Sequence, residues 1–128
     1  MGGRGTYAAG NKVPYTYETV SNIEGVKVLT KKDSRSSGSL PEEAHSSNAY
    51  IQVDKNGSFR RIRFYNEQHL PFFEIDYHTE KGLSKNGEPI VHVHDYSAPG
   101  IENRMKGRRA SKEEISKYGK YMKGVDLS

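Results

Sequence analysis

A β-hairpin signal in the middle of the chain constrains the fold more than any other feature of the sequence. Residues 50–53 are rich in β-forming side chains, and residues 59–65 alternate polar and apolar side chains. Between them lies an Asn-Gly pair, Asn56 and Gly57, which tolerates the positive φ angles that a tight turn requires. We therefore predict two antiparallel strands joined by this turn.

The hairpin is predicted to extend into a meander. A second turn at residues 66–71 leads into residues 72–77, which alternate again, so that three consecutive strands pair with their neighbours in the chain. The same alternation of apolar and polar residues also predicts a strand at residues 90–96 and a short half-buried strand at residues 25–29.

A C-terminal helix is predicted from its start signal. Ser111-Lys-Glu-Glu114 has the form of an N-terminal capping box, and Ile115, Tyr118 and Met122 recur at helical spacing. Together with the strands, this predicts an α+β fold, an antiparallel β-meander of about four to five strands with a C-terminal helix.

The chain of 128 residues fits one domain, because each half alone would bury too little apolar surface for a stable core. Residues 1–22 mix Gly, Asn, Pro and Tyr without a period and are predicted to form an irregular arm, with a short strand around residues 15–19. The single α+β domain then covers residues 23–128, with a flexible loop at about residues 31–48, where Ser, Gly and charged residues cluster.

Composition excludes several classes of site. The chain has no cysteine, which excludes disulfides and thiolate metal sites. It has neither a run of about 20 apolar residues nor the apolar core of a secretory signal, so we expect a cytoplasmic protein with no membrane partner. Residues 104–128 hold eight Lys and Arg against three acids, which favours a polyanionic partner such as RNA or, equally, a solvated basic helix face.

Alternation sorts the predicted strands into two faces. Ile62 and Phe64 share one face, whereas Arg61 and Arg63 share the other. On the next strand, acidic and histidine side chains at 74, 76 and 78 oppose the apolar ones. The arginines could therefore pair with Glu74 and Asp76 across the ladder, or they could bind a phosphodiester and stabilise charge that develops on it.

His92 and His94 are the most suggestive pair, since histidines at i and i+2 on a strand project side by side. Two such imidazoles can act as proton donor and acceptor around a substrate, or ligate one metal ion. A metal needs a third protein ligand, which His78 or Asp76 could supply. If His92 and His94 instead lie on a solvated sheet face, they gain and lose protons without any functional role.

Four runs of residues resemble a known module: Tyr50-Ile-Gln-Val-Asp-Lys-Asn-Gly57, Arg61-Ile-Arg-Phe-Tyr65, Glu74-Ile-Asp-Tyr-His78 and Val91-His-Val-His-Asp-Tyr96. They are similar to the C-terminal modules of bacterial polymorphic toxins and to small prophage-encoded proteins. The resemblance covers about residues 49–96, and the Met1-Gly-Gly-Arg-Gly5 start is also similar to prophage proteins near head-morphogenesis genes. The resemblance to the toxin modules implies nuclease activity, most plausibly on RNA.

The leading prediction is a domain that binds and cleaves RNA by acid/base chemistry, with no cofactor and no required metal. One alternative is a non-catalytic module that docks a phage or bacterial protein, and another is a divalent-metal site on His78, His92 and His94. In the RNA hypothesis the predicted catalytic residues are His92, His94, His78, Asp76 and Arg61, and the predicted nucleic-acid contacts are Arg63, Tyr96, Arg108 and Arg109.

Overall fold

The computed structural model describes residues 17–31, 40, 44, 47–54, 56–80 and 82–125. Within these ranges seven β-strands form one sheet, and their spatial order follows their order in the chain. One short helix, α1 (Lys112–Tyr118), and two 3-10 turns, Ile101–Asn103 and Gly119–Tyr121, complete the described elements. The strands are β1 (Tyr17–Ile23), β2 (Val26–Lys31), β3 (Ala49–Val53), β4 (Phe59–Tyr65), β5 (Pro71–His78), β6 (Ile90–Asp95) and β7 (Arg108–Arg109).

The predicted antiparallel meander of four to five strands is wrong. The described part of the chain forms a seven-stranded sheet, and the sheet is mixed, because β2 and β3 run parallel through the pairs Lys27–Tyr50 and Val28–Ile51. A parallel pair needs a connection of about a dozen residues or more, and residues 32–48 supply that length. A sheet accompanied by one helix remains broadly of the α+β kind.

Strand β1 lies at the end of the predicted N-terminal arm. Glu24 and Gly25, with φ angles of 51° and 83°, turn the chain from β1 into β2. Residues 1–16 lie outside the described residues, as do residues 126–128 and most of the loop predicted at 31–48. Two described residues of that loop, Leu40 and Ala44, are buried against the sheet.

The predicted hairpin and its continuation are confirmed. Strand β3 pairs antiparallel with β4, β4 with β5, and β5 with β6. At the first turn, Asp54 Oδ1 accepts hydrogen bonds from the backbone N–H groups of Asn56 and Ser58, and Gly57 has a φ of 82°. The turn thus combines an aspartate that bonds nearby backbone and a glycine that accepts positive φ.

The main core lies on one face of the sheet. Each strand from β2 to β6 contributes one fully buried aliphatic residue, and the register places each beside the next. Burying an aliphatic side chain of this size contributes about 1.5–3 kcal/mol relative to leaving it exposed. The row consists of Val28, Ile51, Ile62, Ile75 and Val93.

The predicted C-terminal helix packs on this core, but it ends at Tyr118, and Met122 enters the core from beyond it rather than at helical spacing. Ser111 Oγ accepts from the backbone N–H of Glu114, and the Glu114 carboxylate accepts from the backbone N–H of Ser111, which completes the capping box. The Tyr118 ring lies 5.3 Å from the ring of Phe64 and 5.6 Å from that of Phe73. A helix of seven residues is too short to be stable alone, so the cap and this packing hold it.

Candidate functional site

Two rows of polar side chains cross the other face of the sheet. The register aligns Arg61, Asp76 and His92 across β4, β5 and β6, and it aligns Arg63, Glu74 and His94 in the same way. Residues directly opposite each other in antiparallel strands have Cβ atoms about 4.5–5.5 Å apart. The predicted convergence of histidines, carboxylates and arginines on one face is therefore confirmed.

These rows are buried rather than solvated. Glu74, Asp76 and His92 are 0% exposed, and Arg63 and His94 are each 4% exposed. Charged groups taken out of water must be paired and hydrogen-bonded, because desolvation otherwise costs several kcal/mol per ion. The alternative of a solvated sheet face is therefore excluded for these five residues.

The segment after β6, residues 96–107, covers the rows, and we call it the strap. Tyr96 bridges to Arg104 across it, and the backbone N–H of Met105 donates to the Asp95 carbonyl. Gly107 comes so close to the cluster that a Cβ there would lie 2.7 Å from Glu80 Oε2 and 3.0 Å from His92 Cδ2. A side chain at 107 would therefore displace the Glu80 carboxylate and press against the His92 ring, because the strap backbone approaches the cluster this closely.

Of the two alternatives for these arginines, the structure shows the cross-strand ion pairs. Arg61 pairs with Asp76 in a bidentate manner, with Nε–Oδ1 and Nη2–Oδ2 distances of 2.9 and 3.0 Å. Arg63 Nε lies 2.8 Å from Glu74 Oε1. From the strap, Arg104 Nη2 lies 2.6 Å from Glu74 Oε2 and 3.2 Å from Asp76 Oδ2.

Asp76 is held ionised by this network. Burial alone would raise the pKa of Asp76, but hydrogen bonds from His78 and Arg61 and the charge of Arg61 outweigh it and hold that pKa far below its usual range. Glu74 accepts a further hydrogen bond from the Tyr96 hydroxyl at 3.2 Å. Burial raises the pKa of the Tyr96 phenol, so that it stays a neutral donor.

All three histidines of the cluster are oriented in the same way. In each ring Nδ1 faces a backbone carbonyl, which only accepts, so Nδ1 carries a proton. In the neutral form the lone pair is then on Nε2, which points into the cluster. The Nδ1 partners are Thr79 for His78 at 2.8 Å, Ile90 for His92 at 3.1 Å and Met105 for His94 at 2.7 Å.

The environments of His78 and His92 displace their pKa values in opposite directions. His78 Nε2 lies 3.3 Å from Asp76 Oδ2, and this hydrogen bond raises the pKa of the half-buried imidazole. Burial lowers the pKa of His92, whose ring lies 4.7 Å from that of His78. His78 therefore favours the charged form more than an ordinary histidine does, and His92 favours it less.

His92 Nε2 is buried and has no hydrogen-bond partner among the residues that the structure describes. The nearest carboxylate oxygen, Asp76 Oδ2, lies 3.8 Å away. Orphaned buried polar atoms are uncommon in folded proteins, and an unplaced water or ion is a frequent reason for one. A lone pair directed into a closed polar cluster is the most unusual feature of this site.

Groups that could ligate a metal ion overlap around these histidines. In each group the ligand atoms lie within 4.8 Å of one another. His92 belongs to two of the three groups found in the described part of the chain. The groups are Asp76 with His78 and His92, Glu80 with His92 and His94, and Glu74 with Asp76 and His94.

Some predicted nucleic-acid contacts lie elsewhere or are already paired. Arg108 is bound to Asp95 and Glu114, with distances of 2.6 and 2.8 Å, outside the cluster. Arg109 is opposite His92 in the register and donates to the Leu83 carbonyl at 2.9 Å. Arg63 is buried among its partners, and the Tyr96 hydroxyl points toward Glu74 rather than to solvent.

Glu80, Arg104 and Gly107 are members of the cluster that sequence reasoning missed. Glu80 continues the alternation of Glu74, Asp76 and His78 beyond the end of β5, which is the one signal that could have identified it. Arg104 and Gly107 lie on the strap, an irregular segment in which no alternation of apolar and polar residues marks them.

No family model, curated protein or solved structure matches this chain. The resemblance to toxin modules and prophage proteins, and with it a phage or bacterial protein partner, therefore stays a prediction. Across the described residues, no helix is long and apolar enough to cross a membrane.

Proposed function

We propose that this chain is a metal-binding domain, in which His92 and His94 of the buried cluster hold one divalent transition-metal ion such as Zn²⁺. The observation that carries the proposal is the buried Nε2 atom of His92, which has no partner among the described residues. A divalent ion would accept the lone pair of this atom and so give the buried nitrogen the partner that it lacks.

The orientation of the rings supports this function. Histidines that ligate metals commonly donate their other ring N–H to a carbonyl or carboxylate, which fixes the tautomer and directs the lone pair at the ion. His92 and His94 both do so. Burial also lowers the pKa of His92, and the neutral imidazole is the form that binds metal.

The spacing of the inward-facing atoms supports it as well. In each of the candidate groups the ligand atoms lie within 4.8 Å of one another. Ligand atoms about 2.0–2.1 Å from a tetrahedral zinc ion are roughly 3.3–3.4 Å apart. The groups are therefore somewhat wider than a metal coordination shell, and modest side-chain movements would complete one.

Metal analysis of the purified protein tests the proposal. Protein made in metal-replete medium and purified without added ions should contain about one zinc ion, or another divalent transition-metal ion, per chain. Elemental mass spectrometry measures this content. The His92→Ala variant should contain none, whereas His69→Asn should bind like the wild type, since His69 lies in a turn with a φ of 70° that Asn tolerates. Wild-type protein that stays metal-free, even after incubation with Zn²⁺, would refute the proposal.

Metal-independent binding and cleavage of RNA is a second candidate. The observation that favours it is a row of cationic groups at the partly open edge of the cluster, where the side chains of Arg61, His78 and Arg104 are 17%, 27% and 30% exposed. Phosphate could approach this edge, although the predicted catalytic residues His92, His94 and Asp76 lie beneath it.

An RNA cleavage assay in excess EDTA decides this second candidate. Cleavage of a generic RNA at neutral pH that survives EDTA and is lost in His78→Gln would support it. Intact RNA under the same conditions would end it, and cleavage that appears only with added Zn²⁺ would return the activity to the metal centre.

A further inference from the structure

We infer that Glu80 is the carboxylate ligand of this metal centre, so that His92, His94 and Glu80 bind the ion and one coordination position stays open. The inference rests on the proposed function. It assigns a role to a residue at the start of the connection between β5 and β6, outside the two rows that cross the sheet.

Asp76 is the obvious competing ligand, and its neighbours argue against it. Its Oδ2 atom, the one nearest the histidines, is 3.0 Å from Arg61 Nη2, 3.2 Å from Arg104 Nη2 and 3.3 Å from His78 Nε2. An ion ligated by this oxygen would have to compete with all three donors for its lone pairs. The negative charge of Asp76 is already balanced by these cationic groups.

Glu74 is excluded for the same reason. Arg63 and Arg104 bind its two carboxylate oxygens at 2.8 and 2.6 Å, and Tyr96 donates a further hydrogen bond. A metal on Glu74 would have to displace these donors from a group that is 0% exposed. Breaking a buried charge pair costs about 3–5 kcal/mol.

Glu80 differs from both. In the described part of the chain its carboxylate has no ion pair and accepts no hydrogen bond, and Glu80 is only partly exposed. A ligand atom of Glu80 lies within 4.8 Å of ligand atoms of His92 and His94. A metal ion would give this carboxylate and the orphaned imidazole of His92 a shared partner.

The backbone around Glu80 is already fixed for this role. Its N–H donates to Ser84 Oγ at 2.7 Å, and its carbonyl accepts from the N–H groups of Leu83 and Ser84 at 3.0 and 2.9 Å. On the other side, Gly107 leaves room for the carboxylate, since any Cβ there would overlap Glu80 Oε2 at 2.7 Å. The turn and the strap together bring the carboxylate to the histidines.

This ligand set has a chemical consequence. Two histidines and one glutamate leave a tetrahedral ion one position for water or an exogenous ligand, which is typical of catalytic zinc sites and unlike closed structural ones. A bound water at such a position ionises near neutral pH.

Zinc titration of the metal-free protein, monitored by calorimetry, tests the assignment. Glu80→Gln should weaken Zn²⁺ binding by more than about 100-fold, beyond the 10–100-fold typical of residues that only support ligands. His78→Gln, which removes a ligand of the competing Asp76 group, should leave the affinity within about threefold. Glu88→Gln, an exposed glutamate on the same connection, is the matched control and should not change it.

The outcomes separate the two proposals. If the wild type binds Zn²⁺ but Glu80→Gln binds as tightly, or His78→Gln weakens binding as much as Glu80→Gln, the assignment of Glu80 is overturned and the metal-binding function stands. If the wild type itself does not bind Zn²⁺, the proposed function fails. Circular dichroism of each variant confirms that the sheet is intact before the affinities are compared.

Discussion

The Nε2 atom of His92 lies 3.8 Å from Oδ2 of Asp76, too far for a hydrogen bond, and both residues are 0% exposed. The carboxylate is fully engaged by Arg61, Arg104 and His78, so it does not need the imidazole. The imidazole, in contrast, is buried without a partner in the described structure. This asymmetry separates a structural ion-pair network from the neighbouring site that we propose binds a cation.

His92→Leu should have opposite effects with and without metal. In EDTA the variant should be as stable as the wild type or more stable by up to about 1 kcal/mol, because it removes an unsatisfied buried polar atom. With Zn²⁺ at about 100 times its Kd, the wild type should gain about 2.7 kcal/mol and the variant nothing. Urea unfolding under both conditions measures this, and equal stabilisation of both proteins by Zn²⁺ would contradict a role for His92.

Glu74→Gln should be strongly destabilising whether or not metal is bound. Glu74 pairs with Arg63, which is 4% exposed, so the variant leaves a buried guanidinium without its main counter-charge. Breaking such a pair costs about 3–5 kcal/mol. The control Glu88→Gln, an exposed site, should change the free energy of unfolding by about 0.5 kcal/mol or less. A loss below about 1 kcal/mol for Glu74→Gln would mean that the pair contributes no more than a typical exposed one.

The stability of the metal-free protein should depend on pH through His78. Its hydrogen bond to Asp76 raises the folded-state pKa above the ordinary value of 6.5. The stabilisation is therefore fully present below about pH 6.5 and is lost as the pH rises through the raised pKa. Burial lowers the pKa of His92 and gives a dependence of opposite sign below pH 6.5, so the comparison needs a variant.

The difference in unfolding free energy between wild type and His78→Gln isolates the His78 contribution. It should be constant at pH 5–6 and shrink toward pH 9. Denaturant unfolding in EDTA at a series of pH values measures it, and a difference that grows with pH would have the wrong sign for this ion pair.

Gly107→Ala should weaken metal binding. The added Cβ would lie 2.7 Å from Glu80 Oε2 and 3.3 Å from His94 Cε1, so the glutamate must move away from the histidines. We expect a loss of Zn²⁺ affinity of about 10–100-fold, the range for residues that position ligands. Ser97→Ala, an exposed position on the same strap, is the control. Unchanged affinity in Gly107→Ala would show that the strap does not shape the site.

Local patterns predicted the centre of the sheet well. The Asn56-Gly57 turn and the alternation of β4 and β5 depend on neighbours in sequence, and both are confirmed. The pairing of Arg61 with Asp76 is one of the two alternatives that this alternation left open. The parallel contact between β2 and β3 was missed because two residue pairs, separated by a long connection, leave no periodic signal. Strand β7 has only two residues, too few for alternation to show.

The sequence predicted part of the membership of the site but not its burial. Alternation places His92, His94, Asp76 and Arg61 on one face, yet it does not show what covers that face. The cover is the strap, an irregular segment held by Arg104 and by the close approach of Gly107. Burial is what turns two strand histidines from surface groups into a candidate metal site.

The most direct test of the metal centre is anomalous X-ray scattering from crystals of the zinc-loaded protein. Data collected on both sides of the zinc absorption edge should show a peak bounded by the Nε2 atoms of His92 and His94 and the carboxylate of Glu80. No peak in the cluster, or zinc only at histidines outside it such as His69, would contradict the proposed metal centre.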